Sequence, residues 1–232
     1  PAPPAPAGEP SGEVRRFRAV YSKRGKTRTL SHIDLIYVLQ RSFRRAGIEV
    51  RMTQGFHPKM DMSYGPALPL GMEAFREVLE FRSSRRIGAG EFLDRVNKAL
   101  PRGLRFSRFE EVAPAAPSLF NATVRLVYSV DWKSEPFTTA WVAAAAPPGE
   151  GGPARPPLTA SRMRAALDLF KKSRPGAEAV GFRLAGRRLY LELPPSPARG
   201  LRAQDIVQAV FGLEEPVFLV RRDEVVMAAP AV

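Results

Sequence analysis

The chain has 232 residues, 44% of them hydrophobic and 25% charged, enough for one large domain or two small ones with real cores. It has no Cys, two His and no run of eighteen apolar residues, which excludes disulfides, thiolate metal sites and a Cys nucleophile within it, and a membrane-spanning helix. The net charge is +13, concentrated in residues 1–116 with 21 Lys and Arg against 12 Asp and Glu. It points to a polyanionic partner, nucleic acid before membrane, unless Arg-rich usage only reflects a biased genome.

The opening PAPPAPAGEPSG cannot pack a core and reads as a semi-rigid linker over 1–14, the tether of a fragment from a longer chain. No secretory leader pattern is visible, and a cytoplasmic location is expected. Next, RRFRAVYS (15–22) alternates Phe17, Ala19 and Tyr21 against Arg16, Arg18 and Val20, which predicts a strand. The turn after it crowds Lys23, Arg24, Lys26 and Arg28 around Gly25. Four cations beside a helix N-terminus suit a phosphate; the alternative is a solvated basic loop.

The helix starts near Ser31, with Asp34 three positions on as a variant capping box. Ile33, Leu35, Ile36, Leu39 and Phe43 form its predicted buried face, and Gly47 ends it. Arg41, Arg44 and Arg45 lie opposite. With Arg51 and Lys59 they could follow a phosphate backbone, or only solubilise the face. His32 points along the apolar arc, which favours packing over catalysis.

After an extended IEVRM comes TQGFHPKMDMSYGPALPLG, residues 53–71, with three Gly and three Pro. It is long for a connection inside a small domain, and loops of this length tend to be functional. Phe56 could stack on a base or plug the core; His57 and Lys59 could contact phosphate or move protons. Its apolar residues predict a loop ordered against the sheet, around a second strand.

REVLEFRS (76–83) then reads as a strand. GAGEFLDRVNKALP reads as a helix with Phe92, Val96 and Leu100 inward, and GLRFSRFEEV as a strand. This β-α-β-β-α-β order predicts a ferredoxin-like domain over 15–116. Residues 117–225 repeat the plan less clearly. The pieces are a strand (FNATVRLVYSV), a helix (PFTTAWVAAAA), a Pro/Gly-rich insertion over 146–157 and a helical RMRAALDLFKKS. A hairpin turning at Gly186, a helix closed by Gly212 and a strand (PVFLVRRDEV) complete it, before a tail over 226–232. The predicted class is α+β, with two tandem ferredoxin-like (βαββαβ) domains.

LSHIDLIYVLQRSFRRAGIEV, then TQGFHPKMDMSYGPALPLGMEAFREVLEF and later LPRGL, resemble the radical-SAM-linked protein family. This is an uncharacterised bacterial domain fused to, or encoded beside, a radical SAM protein. The resemblance spans residues 15 to 223 and is strongest over 28 to 104. It implies a non-catalytic substrate-binding module for RNA, tRNA or ribosomal RNA. The iron–sulfur cluster and S-adenosylmethionine would lie in the partner or upstream domain, with no cofactor in this segment.

Lys23, Arg24, Lys26, Arg28, Arg44, Arg45 and Lys59 are then the expected phosphate contacts. Ser31, His32, Gln54, Gly55, Phe56 and His57 would shape the pocket, a cationic hollow beside the Phe-His-Pro bend. One alternative is a metal-free endoribonuclease with His32 and His57 as acid and base. Another is a protein–protein adaptor whose basic face meets an acidic partner. The aromatic run of RNA-recognition domains is missing, so sheet-surface base stacking of that kind is not expected.

Overall fold

Alternation builds the first strand, β1 (Arg15–Lys23), and sets which side chains face the core. Phe17, Ala19, Tyr21 and Lys23 point to one buried face. The computed structural model describes residues 13–135, 137–138, 158–196, 201–213 and 219–228. Most of the expected linker and of the helix over 136–146, all of the insertion over 146–157, and the end of the tail lie outside the described residues.

The first half continues with α1 (His32–Arg45), β2 (Met62–Tyr64), β3 (Glu73–Ser83), α2 (Ala89–Ala99) and β4 (Leu104–Val112). The second contains α3 (Leu119–Ala122), β5 (Thr123–Asp131), α4 (Ala160–Ser173), β6 (Gly181–Ala185), β7 (Arg188–Leu193), α5 (Ala203–Phe211) and β8 (Val220–Met227). The chain is α+β, as predicted: one mixed eight-stranded sheet in the order β4-β1-β3-β8-β5-β7-β6, with β2 paired to β3. The halves meet where β3 and β8 run parallel, Glu73 beside Arg221 and Ala74 beside Arg222.

Two apolar clusters hold the sheet. One joins Leu35, Leu39 and Phe43 of α1 and Phe92 and Val96 of α2 to Phe17, Phe81 and Phe106 on the strands. Its rings pack closely; Phe92 and Phe109 lie 4.0 Å apart between centroids. The other gathers α4, α5 and the strands of the second half, and it also takes in Leu68, Met72, Ala74 and Val78 of the first. The halves therefore share a core as well as a sheet.

Several boundaries differ from the predicted ones. Ile33 is exposed, because it shares an outward stripe of α1 with Tyr37, Arg41 and Arg44. Strand β3 begins at Glu73 rather than residue 76. Ser118 caps a short helical turn, so β5 begins only at Thr123. Strand β8 runs to Met227, into the expected tail.

Candidate functional site

The end of β1 and the 3-10 turn after it separate the four cations of the basic turn. Lys23 is the last inward residue of β1; it is 1% exposed and donates from Nζ to the Leu30 carbonyl at 2.7 Å. It is a structural cation, not the surface phosphate contact expected from its neighbours. Arg24, one residue on, is exposed, as is Lys26; Arg28 is half-buried, and its carbonyl receives the Gly71 N–H.

Arg24 stands at the wall of a cleft of about 640 Å³. Gly25, Arg102, Gly103 and Arg105 line it with Arg24, and Glu73 and Asn97 close it. The 3-10 turn over Gly25–Thr29 and the loop after α2 are stitched together there. The Arg24 N–H donates to the Gly103 carbonyl at 2.8 Å. Gly103 has φ +100, and a Cβ there would fall 2.4 Å from the Arg24 carbonyl oxygen, so this close approach needs glycine.

Arg24, Arg102 and Arg105 form no ion pair among the described residues. Glu73, the one carboxylate of the lining, accepts from the Gly25 N–H at 2.7 Å. Arg24 also lies over the Phe75 ring at 4.8 Å. The cleft is thus cationic and open, with backbone fixed around it.

The hollow was expected beside the Phe-His-Pro bend, and it lies instead at the Arg-Gly turn of LPRGL. Sequence reasoning missed Arg102 and Arg105. The readable signal was Pro101-Arg102-Gly103, a tight turn between α2 and β4 at the sheet end where β1 delivers Arg24.

The long loop splits in two. Thr53 and Lys59 pinch its first part: the Thr53 N–H donates to the Lys59 carbonyl at 2.7 Å, and the Lys59 N–H to Thr53 Oγ1 at 3.0 Å. Gln54, Gly55, Phe56, His57 and Pro58 form an exposed tip, with Phe56 102% exposed. The tip does not pack on the sheet as predicted, because the pinch turns it outward. From Met60 onward the stretch is woven in: Met60 and Leu68 are buried, and Met62–Tyr64 is the second strand.

The two His do not share an environment. Ser31 Oγ accepts from the Asp34 N–H at 3.1 Å and donates to Asp34 Oδ2, so this pair caps α1 as predicted. His32 sits beside it, its ring edge-on to Tyr64 at 6.3 Å. Burial pulls its pKa down, Glu77 opposes this, and Arg222 and Lys23 reinforce it. His57 is on the tip and is not among these neighbours.

Sequence reasoning also missed Glu77 and Arg222, a buried pair that joins β3 to β8. Arg222 Nε donates to Glu77 Oε1 at 2.6 Å, and Nη2 to Glu77 Oε2 and, at 2.7 Å, to the Pro66 carbonyl. Burial alone would lower the Arg222 pKa; Glu77 and Tyr128 together outweigh it and hold the guanidinium charged. Burial likewise lowers Lys23, against Glu77, and pushes the Tyr64 phenol up to about 12. Inward alternation along β3 was the available signal: with Leu79 and Phe81 inside, Glu77 is too.

On α1, Arg41 and Arg44 are exposed without an ion pair among the described residues. Arg45 is committed, donating to the Ala99 carbonyl at the end of α2 at 2.6 Å.

Fold and site together define an α+β protein with a shared sheet, a cationic cleft and an exposed aromatic tip. The chain belongs to the family described as "Uncharacterized protein conserved in bacteria (DUF2344)", whose model matches residues 16–152. No curated protein gives a significant match. Among solved structures, an unknown protein from Galdieria sulphuraria aligns at 11% identity over 95% of this chain and 100% of its own, with a TM-score of 0.24. No helix among the described residues is long and apolar enough to cross a membrane.

Proposed function

We propose that this protein is a nucleic-acid-binding module, for RNA in particular, that presents its substrate to a radical SAM enzyme in the cytoplasm. The observation that carries the reading is the cleft: Arg24, Arg102 and Arg105 face one concavity without carboxylate partners, in a chain of net charge +13. Guanidinium groups left unpaired around a hollow match phosphodiester oxygens, which they bind bidentately. Lys26 is exposed on the turn that follows Arg24, and Arg41 and Arg44 add exposed charge along α1. Such contacts position a strand and raise affinity without reading bases.

The architecture we propose is a pair of ferredoxin-like units. The strand orders support this, since β4-β1-β3-β2 in the first half has its counterpart in β8-β5-β7-β6 in the second. The radical SAM link rests on the sequence resemblance. The donor set here does not fit a cluster: the chain has no Cys, and no group of three His, Asp or Glu among the described residues could hold a metal. The iron–sulfur cluster and S-adenosylmethionine of the proposed reaction would belong to the partner.

Titrating single-stranded and stem-loop RNA with the full chain at rising salt tests the reading. Affinity should fall log-linearly, and replacing Arg24, Arg102 and Arg105 together by Gln should flatten the slope by about 2. The urea midpoint should stay in place, because these side chains bear no core contacts. Absence of binding at low salt, or a salt-independent affinity, overturns it.

A further inference from the structure

We infer that the tip formed by residues 53–59 is a stacking finger, on which Phe56 receives an unpaired base. Phe56 is 102% exposed and has no ring contact among the described residues. Water around a whole phenyl ring is unfavourable, so folding does not account for this placement. The backbone that carries the ring is closed at its base. The Thr53–Lys59 pinch and the Met52–Met60 bridge close the base of the tip. Pro58 fixes one side of the turn, and Gly55, at φ +133, makes the bend on the other. An aromatic presented on a closed turn loses little freedom on binding.

The surroundings select the ligand. Residues 50–60 contain no carboxylate. The two flanking acids are engaged elsewhere: Glu49 accepts from Ser83 Oγ and the Arg85 N–H, and Asp61 pairs with Arg82. Gln54, His57 and Lys59, all exposed, bring amide, imidazole and ammonium groups to the same short tip. A flat hydrophobic face among hydrogen-bond donors and a cation suits a nucleobase and its phosphate better than an apolar protein pocket. Bases in a duplex are stacked already, so the finger selects single strands and loops.

This inference rests on the nucleic-acid reading and sharpens its substrate to unpaired RNA. The experiment compares a fluorescein-labelled single strand of about twelve nucleotides, a length within one binding site, with the matching blunt duplex. Phe56→Ala should weaken single-strand binding about tenfold, as loss of one stacked base does, and leave duplex binding within about twofold. Phe56→Tyr should bind like the parent, and Phe56→Leu, apolar but without a π face, should not. Equal affinity of parent and Phe56→Ala for the single strand overturns the finger and leaves the tip to a protein partner. So does an equal loss on both probes. If the parent chain binds neither probe at low salt, the underlying reading fails as well; if only the arginine variant loses binding, the cleft stands without the finger.

Discussion

Lys23 and Arg24 are neighbours in sequence and differ in every physical respect. Lys23 and Arg222 are both buried; Glu77 is ion-paired with Arg222, and its charge acts on Lys23 through space. Arg24 turns the other way, toward Arg102 and Arg105, where the one carboxylate in reach is already taken up by a backbone N–H. Where the strand ends, an inward Lys23 with a structural role is followed by an Arg24 that faces the cleft. A cation inside must be compensated, because desolvation costs several kcal/mol per ion. A cation on a cleft need not be, and its lack of a partner is what makes it available.

The sharpest way to break this division is to remove the shared carboxylate. Glu77→Gln leaves buried Arg222 without its ion pair and removes the negative charge that acts on Lys23, and should cost about 3–5 kcal/mol of stability, read from urea denaturation. Arg222→Met should cost less, because the positive charge of Lys23 still acts on Glu77. The reverse ranking would mean that the carboxylate does not serve both cations.

Gly103→Ala comes next and blurs the division, since Gly103 joins the buried turn to the open cleft. The new Cβ would strike the Arg24 carbonyl at 2.4 Å and meet Thr27 Oγ1 at 2.9 Å, with the backbone at φ +100. A loss of about 2–3 kcal/mol follows from that strain. Because Arg24 must then shift, RNA affinity should fall too, unlike stability in the arginine-to-glutamine variant. Unchanged binding in a measurably destabilised Gly103→Ala would separate the turn from the cleft.

Where side-chain periodicity decides the outcome, the sequence was legible. The alternation of Phe17, Ala19 and Tyr21, the Ser31–Asp34 cap and the buried row Leu35, Leu39 and Phe43 all predict their elements. The end of α1 at Gly47 was equally readable. What escaped depends on contacts far apart in the chain. Arg222 meets Glu77 across 145 positions, and no local pattern links them. Arg102 reaches the cleft only because β4 pairs with β1, which brings its turn against Gly25. The loop 53–71 misled for a related reason. Its composition is uniform, but the Thr53–Lys59 pinch expels the first seven residues, while Leu68 is drawn into the core of the other half.

The smallest expected effect concerns His32, at the edge of the buried group. Its folded pKa lies below the ordinary 6.5, because burial disfavours the imidazolium and Arg222 and Lys23 repel it, with Glu77 in partial opposition. The unfolded chain therefore binds more protons between the folded pKa and 6.5, and stability falls as pH drops through that window. Above 6.5 the contribution is complete. The urea midpoint of the parent should drop more between pH 7.5 and 5.5 than that of His32→Asn, in which the other titrating groups are retained and cancel. Glu77→Gln should depress the His32 pKa further, read from its imidazole proton shifts, since the one favourable charge is gone. Identical pH dependence in parent and His32→Asn would place His32 outside the field of the buried cations. The electrostatic boundary would then lie between Lys23 and the start of α1, and not beyond it.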